Sequence, residues 1–303
     1  MANIIQVLTQ NILPIFLVAG FGFALRRWLD LDKHTLSSAV FYCLSPCLVF
    51  DSLVNSQLPG AELTELALFA VLAILSMGLL GFLVSRLLSF ERQDTAALMI
   101  VLMFVNGGNY GLTLNRLRYG EAGLSRALVY YVTSTLVLYT VGVFLASMGE
   151  LNWQQTMAKL GRLPVVYAAV LAVIVYSLNL SIPAPLMRGI EVAGAGAIPV
   201  MILVLGMQMA DLQGQFNLRL AIPAVTLRLL VGPVIAFFVA MLLNLQDLSR
   251  STSIIEASMP PAVITIILAT EFDLQPTVVT SIVVVATLLS PLTLALTINL
   301  LGL

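Results

Sequence analysis

Four ionisable side chains stand inside long apolar segments of this sequence, where a charge requires a partner. They are Asp51, Glu191, Arg228 and Glu256. A charge at the centre of a lipid bilayer costs about 2.5–3.5 kcal/mol, so such residues are expected to pair or to line a cavity. Glu256 could gain and lose a proton, and Arg228 could be its counter-ion, a ligand for a carboxylate, or a side chain that reaches the cytoplasmic face. Asp51 could also pair, although Asp51 and Glu191 stand near segment ends, where solvation is the alternative.

Two apolar segments are interrupted near their middle by residues that disfavour a helix. The first interruption contains Asn106, Gly107, Gly108, Asn109, Tyr110 and Gly111. Glycine costs up to about 1 kcal/mol relative to alanine in a helix, and asparagine competes for backbone hydrogen bonds. In the second interruption Pro260 and Pro261 lack an N–H, and Pro261 forces Pro260 out of the α region. We predict a broken helix at each place; the alternative is a pair of packing kinks.

A broken helix at membrane depth leaves backbone groups that protein or a water-filled cavity must satisfy. Helix N-termini near Asn109 and Pro261 would present N–H donors and positive dipole ends, which favour an anionic group such as a carboxylate. The interruptions therefore predict a substrate site. Its residues are Asn106, Gly107, Gly108, Asn109, Tyr110, Pro260 and Pro261.

The composition places the whole chain in lipid. Hydrophobic residues make up 60% and charged residues 10% of 303 positions, against about 25% charged in a soluble domain. A bilayer core of about 30 Å needs roughly 20 apolar residues per helix. The apolar runs and their interruptions predict an all-α membrane protein of ten transmembrane helices. The predicted ranges are 4–25, 34–55, 63–88, 94–118, 121–148, 163–180, 185–211, 219–245, 250–270 and 276–301.

The basic residues predict the orientation of these helices. Ten helices leave both termini on one side, which receives Arg116, Arg118, Arg126, Arg188 and Arg250. The opposite side receives Arg26, Arg27, Lys33, Arg86, Arg92, Lys159, Arg162 and Arg219. The positive-inside rule then places both termini outside the cytoplasm, in an inner cell membrane.

The first segment is too long for a signal peptide and is expected to be a retained helix. The net charge of -1 and the absence of a basic run predict no nucleic-acid partner.

The sequences of the two halves of the chain match weakly at a spacing of about 150 residues. Many transporters are built from two such similar halves. LPIFLVAGF from Leu13 matches LPVVYAAVL from Leu163, and Pro46 matches Pro199. NGGNYGL from Asn106 falls opposite MPPAVIT from Met259, and RYGEAGLSRALVYY from Arg118 falls opposite EFDLQPTVVTSIVV from Glu271. Five helices per half is an odd number, so the second half would enter the membrane from the opposite face. We predict an inverted 5+5 repeat of residues 1–148 and 149–303.

The order and spacing of these segments resemble the auxin efflux carrier family in its short bacterial form. The resemblance rests on LPIFLVAGFGFALRR, NGGNYGL and EASMPPAVITIILATEFD, and it covers the whole chain. The family is similar in fold to sodium/proton antiporters of the NhaA type and to bile acid/sodium symporters. It implies a scaffold domain of helices 1, 2, 6 and 7, a transport domain of helices 3–5 and 8–10, and crossing broken helices 4 and 9. It also implies elevator-type alternating access and allows a homodimer through the scaffold.

Residue by residue, the family's crossover positions fall on Asn106, Asn109, Pro260 and Pro261. The resemblance implies export or exchange of organic anions, which are auxin in plants and malonate, malate or similar acids in bacteria. This chain has Gly107 and Gly108 where plant members have proline, and it has no long cytoplasmic loop after the fifth helix. These differences argue against a plant-type substrate and against control by phosphorylation.

We therefore predict a secondary active transporter of a small organic anion, with proton coupling through Glu256 ahead of sodium coupling and uniport. No catalytic residue, metal or cofactor is expected. A sodium-coupled bile-acid-type symporter is the alternative. Such a protein needs several carboxylates and amides at the crossover to coordinate sodium, and the sequence has only Glu256, Asn106 and Asn109 there. A membrane enzyme is less favoured because His34 is the single histidine, HExxH, GxSxG and DDxxD motifs are absent, and Asp51 and Asp273 lack the glycines of an aspartyl dyad. A receptor-like bundle would not require two symmetric breaks.

Overall fold

A computed structural model describes residues 4–55, 58–146, 163–178, 180–210 and 217–303. Within these ranges the chain is helical apart from short connections and one isolated β-bridge. The connection at 149–162, with Lys159 and Arg162, lies outside the described residues, as do the predicted helix ends at 148 and 211.

Eleven helical segments follow one another in the described part of the chain. They are α1 (Ile4–Leu29), α2 (Lys33–Val54), α3 (Gly60–Leu87), α4 (Arg92–Met103), α5 (Gly107–Ala146), α6 (Pro164–Ser177), α7 (Ala184–Ala210), α8 (Leu218–Leu242), α9 (Asp247–Ala257), α10 (Ile264–Glu271) and α11 (Pro276–Leu301). Among the described residues, seven of these helices are long and apolar enough to cross a membrane: α1, α2, α3, α5, α7, α8 and α11. The chain is therefore a multi-pass membrane protein.

The predicted fourth, fifth and ninth helices are divided differently in the structure. The ranges 94–118 and 121–148 correspond to the 12-residue helix α4 and to the 40-residue helix α5. Helix α5 changes direction at Gly120, whose φ of 66° suits a residue without a Cβ. The range 250–270 corresponds to α9 and α10, which are separated by residues 258–263.

Helices α1, α2 and α7 form a closely packed group. Gly206 of α7 lies directly against the backbone of Ala19 in α1, and Gly22 of α1 lies against the backbone of Leu203. A Cβ on Gly194 would lie 3.1 Å from Cα of Leu48 in α2. Backbones that approach this closely rely on small residues, as is usual between membrane helices. Helix α6 packs on α2 at the edge of this group.

Helices α3, α5 and α9 are joined by a polar contact near one end of the bundle. Nε of Arg126 donates to Glu62 at 2.7 Å and to the hydroxyl of Ser249 at 3.0 Å, and Ser249 also donates to Glu62. The side chains of the ion pair are each 19% exposed. Because its members come from three helices, the contact ties these helices together.

The connection between α1 and α2 ends in a helix cap. Asp32 accepts hydrogen bonds from the backbone N–H groups of His34 and Thr35 at 3.1 and 3.0 Å, and from the Thr35 hydroxyl at 2.6 Å. The hydroxyl of Thr35, followed by the two backbone donors, holds the pKa of Asp32 below its usual value. The cap fixes the first turn of α2, in which His34 lines a cleft described below.

Candidate functional site

The two broken helices meet at a crossover formed by residues 104–106 and 258–263. The N–H of Asn106 donates to the carbonyl of Pro260 at 2.8 Å, and the N–H of Ala262 donates to the carbonyl of Phe104 at 2.9 Å. Between these bonds Val105 and Pro261 form an antiparallel β-bridge. Each break therefore satisfies backbone groups of the other, which is how unwound backbone survives inside a membrane protein.

The first break lies slightly earlier than the sequence predicts. The unwound residues are 104–106, whereas Gly107–Gly111 already form a π-helical turn. The helix restarts at once because the carbonyl of Asn106 accepts from the N–H groups of Tyr110 and Gly111 at 3.3 and 3.0 Å. The half-helix N-termini consequently lie at Gly107 and Ile264 rather than near Asn109 and Pro261.

Glu256 lies beside the first turn of α5 and is completely buried. Its Oε1 accepts from Nδ2 of Asn115 at 3.0 Å, and the same amide donates to the carbonyl of Gly111 at 3.2 Å. A Cβ on Gly107 would lie 2.7 Å from Oε2, and a Cβ on Gly111 would lie 2.6 Å from Oε1. The carboxyl group thus occupies space that these two glycines leave open. Its Oε2 has no hydrogen-bond partner among the described residues.

Asn115 is a site residue that the sequence analysis missed. It stands one helical turn after Gly111 and is fully buried. The available signal was an amide on the same face of the helix as the two glycines. Its contact with Glu256 joins residues 141 positions apart, so nothing local to either residue indicates the pairing.

Arg228 is buried, with 2% of its surface exposed, and does not reach the membrane surface. Its Nη1 donates to the carbonyl of Leu102 at 2.6 Å, and its Nη2 donates to the carbonyl of Ala257. Among the described residues it forms no ion pair with Glu256, whose partner is Asn115. Arg228 is therefore neither the counter-ion of Glu256 nor a side chain that reaches the membrane surface, because its guanidinium donates to two backbone carbonyls.

A cavity of 360 Å³ opens beside the crossover, and we call it the crossover cleft. The two breaks and the first turns of α5 and α10 line it with Phe104, Val105, Asn106, Gly108, Asn109, Ala262, Val263 and Ile264. The first turns of α5 and α10 therefore both face this cleft. The remaining wall comes mainly from α2, α5 and α7, through residues such as Phe41, Tyr42, Tyr131, Ser134, Tyr139 and Gln208.

The predicted substrate residues divide between the cleft and the protein interior. Asn106, Gly108 and Asn109 line the cleft. The others lie behind it, where they shape the crossover: Gly107, Tyr110, Pro260 and Pro261. The ring of Tyr110 packs edge-on against Phe16 at a centroid distance of 5.9 Å. Sequence patterns locate a break, but the rotation of the restarted helix decides which side chains face the cavity.

The crossover cleft contains polar groups but no Asp, Glu, Lys or Arg among its described lining residues. Nδ2 of Asn106 and Oε1 of Gln208 are buried without a hydrogen-bond partner among the described residues. Gln208 was missed in the sequence analysis, although an amide near the end of an otherwise apolar helix is a usable signal. The ring of Tyr131 lies over Gly108, where an added Cβ would be 2.9 Å from Cε2.

A second cavity, which we call the distal cleft, has a volume of 520 Å³. Its lining comprises Asp51, Ser52, Asn55, Leu58, Glu121, Ala122, Ser125, Arg126 and Glu191. Asp51 accepts from Nδ2 of Asn55 at 2.7 Å and lies here rather than at the crossover. The distal cleft uses the end of α2 and the start of α7, whereas the crossover cleft uses the start of α2 and the end of α7. The two cavities therefore lie at opposite ends of the same two helices.

Several apolar membrane-length helices, with two broken helices that meet beside a cleft, are the construction used by many secondary transporters. The family model described as membrane transport protein matches residues 7–155 and again residues 150–298. The chain belongs to this family, which is auxin efflux carrier-like, and it contains the family repeat twice. The predicted family membership is thereby confirmed.

Two archaeal relatives support the same assignment. An uncharacterized transporter of Methanothermobacter thermautotrophicus is 27% identical over 296 residues, which cover 95% of this chain and 96% of the relative. An uncharacterized transporter of Methanocaldococcus jannaschii is 24% identical over 277 residues, which cover 88% and 89%. The similarity therefore extends over nearly the whole chain and includes both broken helices.

Proposed function

We propose that this membrane transporter is a secondary active carrier of small organic carboxylates, which it binds in the crossover cleft. The observation that carries the proposal is that the first turns of α5 and α10 face one cavity, through Gly108, Asn109, Val263 and Ile264. A helix N-terminus presents unpaired N–H donors and about half a positive charge, so two of them create a site for an anion. None of the described residues that line the cleft is a carboxylate; the carboxyl group of Glu256 lies outside this lining, against Gly107 and Gly111.

The remaining lining suits an organic body rather than an inorganic anion. Phe41, Tyr42, Phe104, Tyr131 and Tyr139 contribute aromatic rings to the cleft wall. Small-molecule sites are typically apolar cavities of about 300–1,000 Å³ with a few placed polar groups, and a volume of 360 Å³ fits a small organic acid. The amides of Asn106 and Gln208 supply additional polar contacts.

We further propose ten membrane crossings in an inverted 5+5 arrangement, with halves at residues 1–148 and 149–303. Helix α4 and the part of α5 before Gly120 form one crossing, the part after Gly120 forms the next, and α9 and α10 together form another. In support of a moving transport domain, both clefts border α5 on one side and the closely packed α2 and α7 on the other. Elevator-type motion of α3–α5 and α8–α11 against the scaffold α1, α2, α6 and α7 would expose the site alternately. A homodimer through the scaffold remains a prediction.

The orientation proposal places both termini outside the cytoplasm of an inner membrane, so the crossover cleft opens to the cytoplasm. We expect a reporter that fluoresces only in the cytoplasm to stay dark when fused at the C-terminus, and an export-dependent phosphatase to be active there. The opposite pattern would reverse the direction in which each cleft opens.

Proton coupling through Glu256 is the leading proposal for the driving force. The buried carboxyl group of Glu256 accepts one hydrogen bond, from the neutral amide of Asn115, at Oε1. Its Oε2 has no partner among the described residues and can therefore take up a proton. Sodium coupling is the second candidate, because Oε2 of Glu256 and Oδ1 of Asn115 are both buried oxygen atoms without a partner among the described residues. Oxygen atoms are the ligands that hard cations prefer.

A thermal-shift screen of the purified protein against mono- and dicarboxylates tests the proposed substrate class. A ligand with a Kd of about 0.1 mM stabilises the folded state by about 1.4 kcal/mol when it is present at about 1 mM, so millimolar concentrations reveal weak substrates. We expect Asn109→Ala to fold normally and to bind the identified acid at least about tenfold more weakly, since a hydrogen bond to a charged group contributes about 1.5–3 kcal/mol.

Asn299→Ala is the matched control, because Asn299 is a half-buried asparagine of α11 that lines neither cleft. This variant should bind as the wild type does. Unchanged affinity in Asn109→Ala would return Asn109 to a structural role at the break, and a screen in which no carboxylate shifts the wild type would overturn the substrate class.

A further inference from the structure

Arg228 connects α8 to the ends of both helices that precede the crossover. It lies in the π-helical turn Leu227–Val231, and its guanidinium donates to the carbonyls of Leu102 and Ala257. Leu102 is in the last turn of α4, and Ala257 is the last residue of α9. The last carbonyls of a helix have no partner within that helix. One side chain therefore satisfies a terminal carbonyl of each half-helix.

The charges of these groups are matched. A helix C-terminus carries roughly half a negative charge, so two of them oppose the single positive charge of one guanidinium. Among the described residues no acidic side chain forms an ion pair with Arg228. Its buried charge is instead compensated by backbone, at the ends of the same broken helices whose continuations, α5 and α10, face the crossover cleft.

The neighbouring sequence leaves space for this arrangement. Gly232 follows Arg228 by one turn, and a Cβ there would lie 2.6 Å from Nη2 and 3.0 Å from Cζ of the guanidinium. Apart from Tyr130, the other walls of this small enclosed space are apolar, with Met77, Met103 and Ile235 among them. Because a Cβ at position 232 would overlap the guanidinium, we expect a side chain there to displace it from the carbonyls.

We propose that Arg228 is the positioning residue of the crossover: it holds the C-terminal ends of α4 and α9 together and thereby sets how α5 and α10 present their N-termini to the cleft. The inference deepens the proposed function, on which its significance for transport rests. The contact of Arg228 with the ends of α4 and α9 concerns only the crossover, so it can be tested without a substrate.

A lysine cannot replace this residue. The planar guanidinium directs separate N–H groups at two carbonyls, whereas an ammonium is a point charge on a shorter stem. If charge alone mattered, Arg228→Lys would preserve the crossover. If the fork geometry matters, Arg228→Lys and Arg228→Met both loosen it.

Backbone hydrogen exchange, followed by mass spectrometry on the full-length protein in detergent, tests the inference. The informative amides are those of Asn106 and Ala262, which donate across the crossover. In Arg228→Lys, Arg228→Met and Gly232→Ala we expect these amides to exchange at least about tenfold faster, because each variant loses hydrogen bonds to a charged group. Peptides from α1 and α7 should exchange as in the wild type.

Gly232→Ala keeps every charge and only displaces the guanidinium, so it remains decisive if an Arg228 variant fails to fold. Gly196→Ala is its control, because a Cβ there would meet no atom within 4 Å. Unchanged exchange at the crossover, equal acceleration in all helices, or full protection in Arg228→Lys would each overturn the inference. If crossover exchange rises while no carboxylate stabilises the wild type, the positioning role stands and the proposed substrate class falls.

Discussion

Replacement of Gly111 by alanine is expected to slow carboxylate exchange by about tenfold to a hundredfold. The added Cβ would lie 2.6 Å from Oε1 and 2.7 Å from Cδ of Glu256. A side-chain end can often move away, but this carboxyl group is enclosed by Gly107 on one side and bonded to Asn115 on the other. Overpacking in a filled interior costs about 1–3 kcal/mol. Because the displaced group is the carboxyl proposed to carry the proton, we expect a cost of this size to slow exchange by the stated factor. The measurement is the initial rate of exchange in proteoliposomes.

Two further variants separate this effect from a general loss of stability. Gly20→Ala places a methyl group where no atom lies within 4 Å and should exchange at the wild-type rate. Glu256→Asp shortens the carboxyl side chain by one methylene, so the double variant Gly111→Ala, Glu256→Asp should recover part of the lost rate. Wild-type exchange by Gly111→Ala would show that the contact between Gly111 and Glu256 is irrelevant to transport.

Glu256→Gln is expected to remove the response of transport to an imposed pH gradient. Glutamine retains the size and hydrogen-bonding shape of the side chain but cannot gain or lose a proton in this range. The amide can still contact Asn115, so the variant should fold and exchange carboxylate across the membrane. In the wild type, a pH gradient of one unit supplies about 1.4 kcal/mol per coupled proton and should change the rate severalfold. The measurement compares both proteins with and without the gradient.

Glu65→Gln is the control for this experiment, since Glu65 is an exposed carboxylate of α3. It should respond to the gradient as the wild type does. An equal response from wild type and Glu256→Gln would exclude Glu256 as the proton carrier. A rate that follows an imposed sodium gradient at constant pH, and that Glu256→Gln abolishes, would select the sodium alternative.

The positions of the two helix breaks could be predicted because their causes are local. Consecutive glycines and asparagines weaken one helix from Asn106 to Gly111, and adjacent prolines interrupt the other at Pro260. The start of the restarted helix differs by a few residues because it depends on a contact between distant segments. Gly107 joins the helix while Asn106 bonds to Pro260, a residue far away in the sequence.

The roles of individual side chains were less accessible to sequence analysis. Arg228 was expected near a carboxylate or at the membrane surface, but it bonds to two carbonyls that become available only because two helices end there. Tyr110 shares a motif with Asn109, yet the first packs into the interior and the second faces the cleft. Such differences follow from helix rotation and from neighbours in space, which no single motif contains.

Counterflow in proteoliposomes tests most directly whether the chain exchanges small carboxylates through the crossover cleft. Vesicles that contain purified protein are loaded with one unlabelled acid at millimolar concentration and diluted into a trace of the same acid in radiolabelled form. A panel of monocarboxylates and dicarboxylates is examined in turn. The account predicts transient accumulation of label for at least one acid in the wild type, reduced at least about tenfold in Asn109→Ala and preserved in Asn299→Ala. Accumulation that is absent for every acid, or that is equal in all three proteins, would contradict it.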